Sequence, residues 1–231
     1  PFRQGALLSR RKAFWASFKP MVEAFGSERR ALEINDDIIE TIARSGADKT
    51  SLYVASPFGK LEDREEAFMS GFAEHLPFLG NLVNRSERAY VTFLNKLRVD
   101  AFESMGQRFK TTDPTERAAL MEQTAKWLNT ATGRGNISPN SLMAHTNALF
   151  FSPRWFMSRL EVMNPQTWFN APPELRAEMA KDVVSYVGAG LTALGILKAS
   201  GAAFGFDVNI ETDPRSSDFG KGKVGDTRYD L

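Results

Sequence analysis

The sequence contains no cysteine and only two histidines among its 231 residues. The lack of cysteine excludes disulfides, thiolate zinc sites and cysteine nucleophiles. His75 and His145 lie far apart in the sequence, and neither has a partner at the spacing typical of a metal site. Each is therefore interpreted as a helix-face or core residue. We predict no bound metal and no cofactor.

The chain also lacks a strong net charge, which is +1 at pH 7, but its charges are unevenly distributed. Residues 1–30 carry seven basic and two acidic side chains, whereas residues 31–66 carry four basic and nine acidic ones. The preferred interpretation is two solvated faces, since a nucleic-acid patch needs more than one short basic arm. Within this arm, Arg10, Arg11 and Lys12 are predicted to contact phosphate or lipid.

Motifs that would carry catalysis are lacking as well. Adjacent carboxylates such as Asp36-Asp37 point about 100° apart on a helix, which suits a solvated face better than a catalytic pair. The Gly-x-Gly pairs at 133–135 and 188–190 complete neither a phosphate loop nor a dinucleotide fingerprint. Nucleophile elbows and kinase signatures are also missing from the sequence. We therefore predict that this segment is not an enzyme.

The most distinctive stretch present is Val183–Leu197, which is apolar on every face and contains Gly188, Gly190 and Gly195. A helix that is apolar all round must be buried in protein or in lipid. Because about fifteen residues fall short of the ~20 that span a bilayer, the favoured interpretation is a core or inter-subunit helix. Conditional membrane insertion is the alternative, motivated by this stretch together with the basic arm.

Helical spacing is most regular over residues 81–109, where apolar side chains recur at three- and four-residue steps. Tyr90, Phe93 and Leu97 belong to the predicted buried face of this helix. Polar side chains of the same segment are predicted to lie mostly away from that face; they include Arg88, Thr92, Asn95, Lys96, Glu103 and Gln107.

Capping residues predict where the other helices begin and end. An amphipathic helix is predicted over residues 5–25, and Pro20 should kink or restart it. Ser27 is the predicted N-cap of the next helix. That helix should end at Gly46 and bury three isoleucines, Ile38, Ile39 and Ile42.

A residue that caps well precedes a proline at four further predicted helix starts, Asp113-Pro114, Ser138-Pro139, Ser152-Pro153 and Asn164-Pro165. Another helix is predicted over residues 61–75. The region 133–173 is rich in aromatic residues, among them Trp155 and Phe156, for which core packing is the preferred interpretation and an inter-subunit contact the second.

These patterns predict a mainly α fold, a multi-helix, bundle-like assembly with a small C-terminal β-hairpin. Three parts are predicted: an N-terminal arm and helices over residues 1–80, a central helical domain over 81–206, and a truncated hairpin over 207–231. The hairpin is indicated by alternation around Gly225-Asp226. We interpret the chain as part of a longer protein.

Four runs of the sequence resemble the helical "large polyvalent protein associated" domains of tailed bacteriophages. These runs are residues 86–102, 149–169, 187–202 and 211–231, and the segment Asp213–Gly220 is the most specific among them. Together they cover about a third of the chain, in the order found in the family. No catalytic residues are carried over, because the family has no agreed ones.

The resemblance implies a phage internal virion, or ejection, protein that is packed around the portal and delivered with the genome. We predict ring-like homo-oligomerisation in the virion interior, with Tyr90, Phe93, Leu97, Trp155, Phe156 and the Gly188–Gly195 helix forming core or interfaces. Further predicted partners are portal or core proteins, DNA and, after ejection, the host cell envelope. The alternative function is a non-catalytic accessory domain of a multi-enzyme polyvalent protein that protects or processes injected DNA.

Overall fold

A computed structural model of the chain describes residues 2–56, 77–134, 153–205, 207–211, 222–224 and 227–229. The prediction of a mainly α fold is confirmed. The helices are α1 (Phe2–Gly5), α2 (Lys12–Ala16), α3 (Phe18–Gly26), α4 (Glu28–Ser45), α5 (Pro77–Gly106), α6 (Pro114–Ala131), α7 (Pro153–Met163), α8 (Pro165–Phe169) and α9 (Pro173–Phe204). There are also two short 3₁₀ helices: Ala6–Leu8 precedes α2, and Ala47–Lys49 follows α4.

The chain divides into two compact units, Pro1–Asp182 and Val183–Leu231, so the division falls within the range of α9. The predicted boundary between residues 80 and 81 has no counterpart in this division. Helices α3 and α4 both pack against α5, which places residues from both sides of the predicted boundary in one unit.

Helix starts follow the predicted caps. The Ser27 hydroxyl accepts a hydrogen bond from the Arg30 N–H at 3.3 Å, and the Asp113 carboxylate accepts from two N–H groups of the first turn of α6 at 2.9 Å. Asn164 caps α8 in the same way at 3.0 Å. Each cap satisfies donors that a helix start leaves without partners. Gly46 ends α4 with φ of 73°, a backbone conformation that favours glycine.

The core of the first unit is built around α5, which is buried on more than one side. The predicted apolar face is buried at Phe93, Leu97 and Met105. Thr92 and Asn95, which were predicted to lie mostly away from that face, are buried as well. The reason is that neighbours pack on α5 from several directions: α2, α3, α4 and α6 all contact it.

Two asparagine side chains, one of them the buried Asn95, form hydrogen bonds with the backbone of residues 51–55. The Asn95 carboxamide accepts from the Ala55 N–H at 3.1 Å and donates to the Ala55 carbonyl at 2.6 Å. Asn129 of α6 does the same for Tyr53 N–H and Ser51 carbonyl, at 2.9 and 2.7 Å. These two carboxamides satisfy the extended backbone of residues 51–55 as a neighbouring strand would.

The N-terminal arm is more broken than the predicted 5–25 helix. It forms α1, a 3₁₀ turn, α2 and α3, and Pro20 lies in the first turn of α3, where proline is tolerated. Phe14 and Phe18 meet Phe93 of α5, with ring centroids 5.7 and 5.0 Å apart. The arm therefore contributes aromatic side chains to the core of the first unit.

Helix α4 packs Ile34 and Ile38 against Val99 of α5, and Ile42 is partly buried beside them. The predicted burial of Ile39 is wrong, because 55% of this residue is exposed. Ile34 and Ile38 are four residues apart and share a face, whereas Ile39 is turned about 100° from Ile38.

In the second unit, residues 183–204 continue as helix and are followed by a small antiparallel sheet of order β1-β2-β3. The strands are β1 (Val208–Ile210), β2 (Gly222–Val224) and β3 (Thr227–Tyr229). Val224 of β2 lies opposite Thr227 of β3, which is the predicted hairpin, and β1 adds a third strand. The predicted helix 61–75, the predicted start at Ser138-Pro139 and the segment Asp213–Gly220 lie outside the described residues.

Candidate functional site

The carboxylate of Asp182 is a highly connected polar group among the described residues of the first unit. It is fully buried and accepts four hydrogen bonds from three side chains far away in the sequence. Arg10 Nε donates to it at 2.6 Å, Arg11 Nη2 at 2.6 Å, Arg11 Nε at 3.2 Å and Trp127 Nε1 at 3.1 Å. We call this group, together with Glu178, the arginine–carboxylate cluster.

Local structure brings the cluster together. Arg10 and Arg11 lie in the turn before α2, and the extended backbone of Arg11 (φ −83°, ψ 138°) starts that helix. Glu178 and Asp182 are four residues apart, so they share one face of α9. Trp127 comes from α6. The cluster therefore joins the N-terminal arm, α6 and the first turns of α9.

Glu178 is the second carboxylate of the arginine–carboxylate cluster. Arg10 Nη2 donates to its carboxylate at 2.6 Å and Lys181 Nζ at 2.9 Å. Burial by itself would raise the pKa of Glu178, but hydrogen bonds from Lys181 and Arg10 and the charges of Arg10 and Arg11 outweigh it and lower the pKa to about 2. Both carboxylates of the cluster therefore face cations.

The cluster bears on the prediction that Arg10, Arg11 and Lys12 contact phosphate or lipid. The guanidinium groups of Arg10 and Arg11 are taken up by Asp182 and Glu178, and Arg11 is buried. Lys12 is exposed. Phosphate or lipid contact stays a prediction, and for the two arginines it would require breaking these ion pairs.

Sequence reasoning missed Glu178, Asp182 and Trp127 as partners. In the sequence, Glu178 and Asp182 stand among other charged residues at the polar start of α9. Their four-residue spacing, directly before an apolar run, was the available signal. The distance of more than 160 residues between the partners gave no hint of the pairing.

A second polar feature lies between α6, α7 and α8, a cleft of about 580 Å³. The carboxamides of Gln123, Gln166 and Asn170 line it, and Thr130 donates to Glu161 there at 2.9 Å. Its volume is within the usual range for small ligands, but its lining is polar rather than predominantly apolar. We assign no ligand to it.

Two arginines flank one tyrosine ring in the first unit. Arg134 Cζ lies 3.1 Å and Arg98 Cζ 5.3 Å from the ring centroid of Tyr53, and Arg98 is buried. Arg98 Nε also donates to the Thr132 hydroxyl at 2.7 Å. The cation–π contact of Arg98 with Tyr53 and its hydrogen bond to the Tyr53 carbonyl at 3.5 Å hold residues 51–55 against α5. In the described parts of the chain, no group of acidic or histidine side chains could hold a metal ion.

The apolar half of α9 is exposed, which corrects the interpretation of a helix buried in the core of its own chain. The helix is long and apolar enough to cross a membrane, and none of its most apolar 18-residue stretch is buried. Among the described residues, a Cβ added at Gly188, Gly190 or Gly195 would meet no atom within 4 Å. Within the described part of the second unit, these glycines therefore do not serve close packing.

The other predicted core or interface residues lie in different places. Phe93 and Leu97 are buried in the first unit, and Tyr90 is half-buried and hydrogen-bonded through its hydroxyl to Gln4. Trp155 and Phe156 lie on α7, and their side chains are outside the described part of the structure. Phe93 and Leu97 therefore belong to the core of the first unit, while the Gly188–Gly195 helix of the second unit is exposed.

Comparison with known proteins gives no match among family models, curated proteins or solved structures. The account of the fold and the candidate site accordingly rests on the geometry of this chain. Membership of the phage domain family stays a prediction from the four sequence runs.

Proposed function

We propose that this chain is a structural module of a phage internal virion protein that homo-oligomerises near the portal and assists genome delivery. The phage context comes from the resemblance of the four sequence runs. The assembly role is supported by one structural observation, the large apolar side chains that are left exposed in the first unit.

In the first unit this surface lies on consecutive helices at the N-terminal end. We call it the N-terminal apolar surface, and its exposed residues are Trp15, Val22, Phe25, Leu32 and Ile39. Helices α3 and α4, which carry four of the five, pack against each other. Large apolar patches are uncommon on monomers and mark sites of association, and aromatic residues are enriched in interfaces.

The polar features of the first unit support a structural role. The arginine–carboxylate cluster joins the arm to α6 and α9, and the Tyr53–Arg98 group holds residues 51–55 on α5. These charges make contacts within the fold. The apolar surface is what the unit presents outward, and we assign it to a second copy of this chain.

The test is the mass of purified chain in solution, by light scattering coupled to gel filtration, for two lysine variants. Ile39→Lys places a charge on the N-terminal apolar surface and should lower the oligomer mass towards the 25.8 kDa of one chain. Gln107→Lys adds the same charge at an exposed polar residue at the end of α5 and should leave the mass unchanged.

Equal masses for Ile39→Lys and wild type would contradict this assignment of the surface. A wild-type chain that is monomeric at every concentration would favour the other function, a non-catalytic accessory domain of a polyvalent protein. Circular dichroism of each variant checks that the helices are retained.

A further inference from the structure

We propose that residues 183–204 form a membrane-spanning helix whose partner is the lipid bilayer. The proposal rests on the proposed function, because it names the partner of the exposed apolar helix in the second unit. Four observations support it: the length of the helix, its charge, the partners of its polar groups, and the distribution of exposed side chains around it.

The length of the exposed helix matches a bilayer. The continuous helix extends α9 beyond the apolar Val183–Leu197 run to Phe204. At about 1.5 Å per residue, residues 183–204 are about 33 Å long, and the hydrocarbon core of a bilayer is about 30 Å thick. The length objection raised by the apolar run alone is therefore removed, because Ala199–Phe204 continue the helix.

Charge is almost absent from this segment. Lys198 is its only charged residue, whereas the preceding turns of α9 carry Arg176, Glu178, Lys181 and Asp182. Lys198 lies about 9 Å from the helix end, within the distance over which a long lysine side chain can extend its ammonium to the interface. The boundary between polar and apolar helix is abrupt at residue 183.

The backbone of the segment and the Thr192 hydroxyl have hydrogen-bond partners within the helix. The backbone is helical throughout, so its N–H and C=O groups pair internally, as the lipid environment requires. The Thr192 hydroxyl donates to the Gly188 carbonyl at 2.8 Å. This bond removes the cost of placing a free hydroxyl in hydrocarbon.

Exposed side chains point to a partner that surrounds the helix. Val184, Val187 and Leu191 share one side by their spacing, and Ile196 is turned about 140° from Leu191; all four are exposed. A single partner helix would cover one side and leave the other in water. Lipid covers all sides at once, which is why we favour it over a second copy for this helix.

The experiment is flotation of the purified chain with phosphatidylcholine vesicles, followed by extraction with alkaline carbonate. Wild type should float with the vesicles and remain after extraction, as a spanning helix does. Leu191→Lys places a charge near the middle of the segment, where a lysine in hydrocarbon is unfavourable, and should reduce vesicle binding at least tenfold.

Ile39→Lys is the matched control, since Ile39 and Leu191 are similarly exposed, 55% and 65%. It should leave vesicle binding unchanged while lowering the oligomer mass, so the two proposals fail separately. Absence of wild-type binding, loss on carbonate extraction, or binding unaffected by Leu191→Lys would overturn the membrane proposal. A fall in solution mass with Leu191→Lys, without wild-type vesicle binding, would assign the helix to contacts between copies.

Discussion

Asp182 shows how a single buried residue organises the first unit. A carboxylate without compensation would be costly at this depth, and here two guanidinium groups and an indole N–H supply the compensation. Because desolvation offsets much of the attraction in a buried ion pair, the cluster is more important for which segments meet than for net stability. Removing one partner is different, since it leaves charges buried without a counter-charge.

We therefore predict that Asp182→Asn destabilises the chain by about 3–5 kcal/mol, the usual cost of breaking a buried pair. Asn keeps the shape but removes the charge that faces Arg10 and Arg11. Urea unfolding followed by circular dichroism measures the difference. Asp100→Asn is the control, because it breaks a half-exposed Asp100–Lys96 pair that should contribute less than about 1 kcal/mol. Equal effects of the two variants would contradict the role given to Asp182.

Glu178 gives the cluster a defined pH dependence. Its pKa is about 2 in the folded chain against an ordinary value of 4.5, so the folded state holds the proton less tightly than the unfolded state. The stabilisation is complete above pH 4.5 and is lost as the pH falls towards 2.

The stability difference between wild type and Glu178→Gln should follow the same course, which urea unfolding from pH 7 to pH 2.5 can measure. A difference that does not change with pH would contradict the ion pairing of Glu178.

At the scale of elements, the sequence predicted where helices begin better than which of their residues are buried. Ser27, Asp113 and Asn164 act within three residues of themselves, so local sequence is enough to place the caps. The burial of Asn95 and Arg98 depends on partners in residues 51–56 and at Thr132, which spacing along α5 cannot reveal. The predicted burial of Ile39 is wrong for a related reason. Ile38, Ile39 and Ile42 are close in sequence and cannot all face one neighbouring helix.

At Gly5, the N-terminal arm approaches α5 closely. A Cβ there would lie 2.8 Å from Leu97 Cδ2, 3.1 Å from Phe93 Cε1 and 3.2 Å from Phe14 Cε2. All three side chains are packed in the core, so Gly5→Ala should cost about 1–3 kcal/mol.

Gly26→Ala is the matched change at the end of α3, where an added Cβ meets nothing within 4 Å. This variant should be neutral or more stable by up to about 1 kcal/mol. The urea midpoints of the two variants test the comparison. If Gly5→Ala is as stable as wild type, the arm does not pack on α5 as described.

At the scale of the whole molecule, the two units differ in how they treat apolar residues. The first buries large apolar side chains around α5 and exposes others on α2, α3 and α4 and at a few positions of α5, α7 and α8, whereas residues 183–204 of the second are largely exposed. Composition alone could not predict this difference, because the same apolar sequence is compatible with a helix covered by protein and with one covered by lipid. It became visible only when the surroundings of Leu191 and Ile196 were known.

The central claim is that this chain is an assembling module, and the mass of the intact wild-type chain in solution tests it most directly. The account predicts a defined oligomer, a fixed multiple of 25.8 kDa, whose mass does not change on moderate dilution. A mass of 25.8 kDa at every concentration would contradict it, because the exposed apolar surface of the first unit would then have no second copy as its partner.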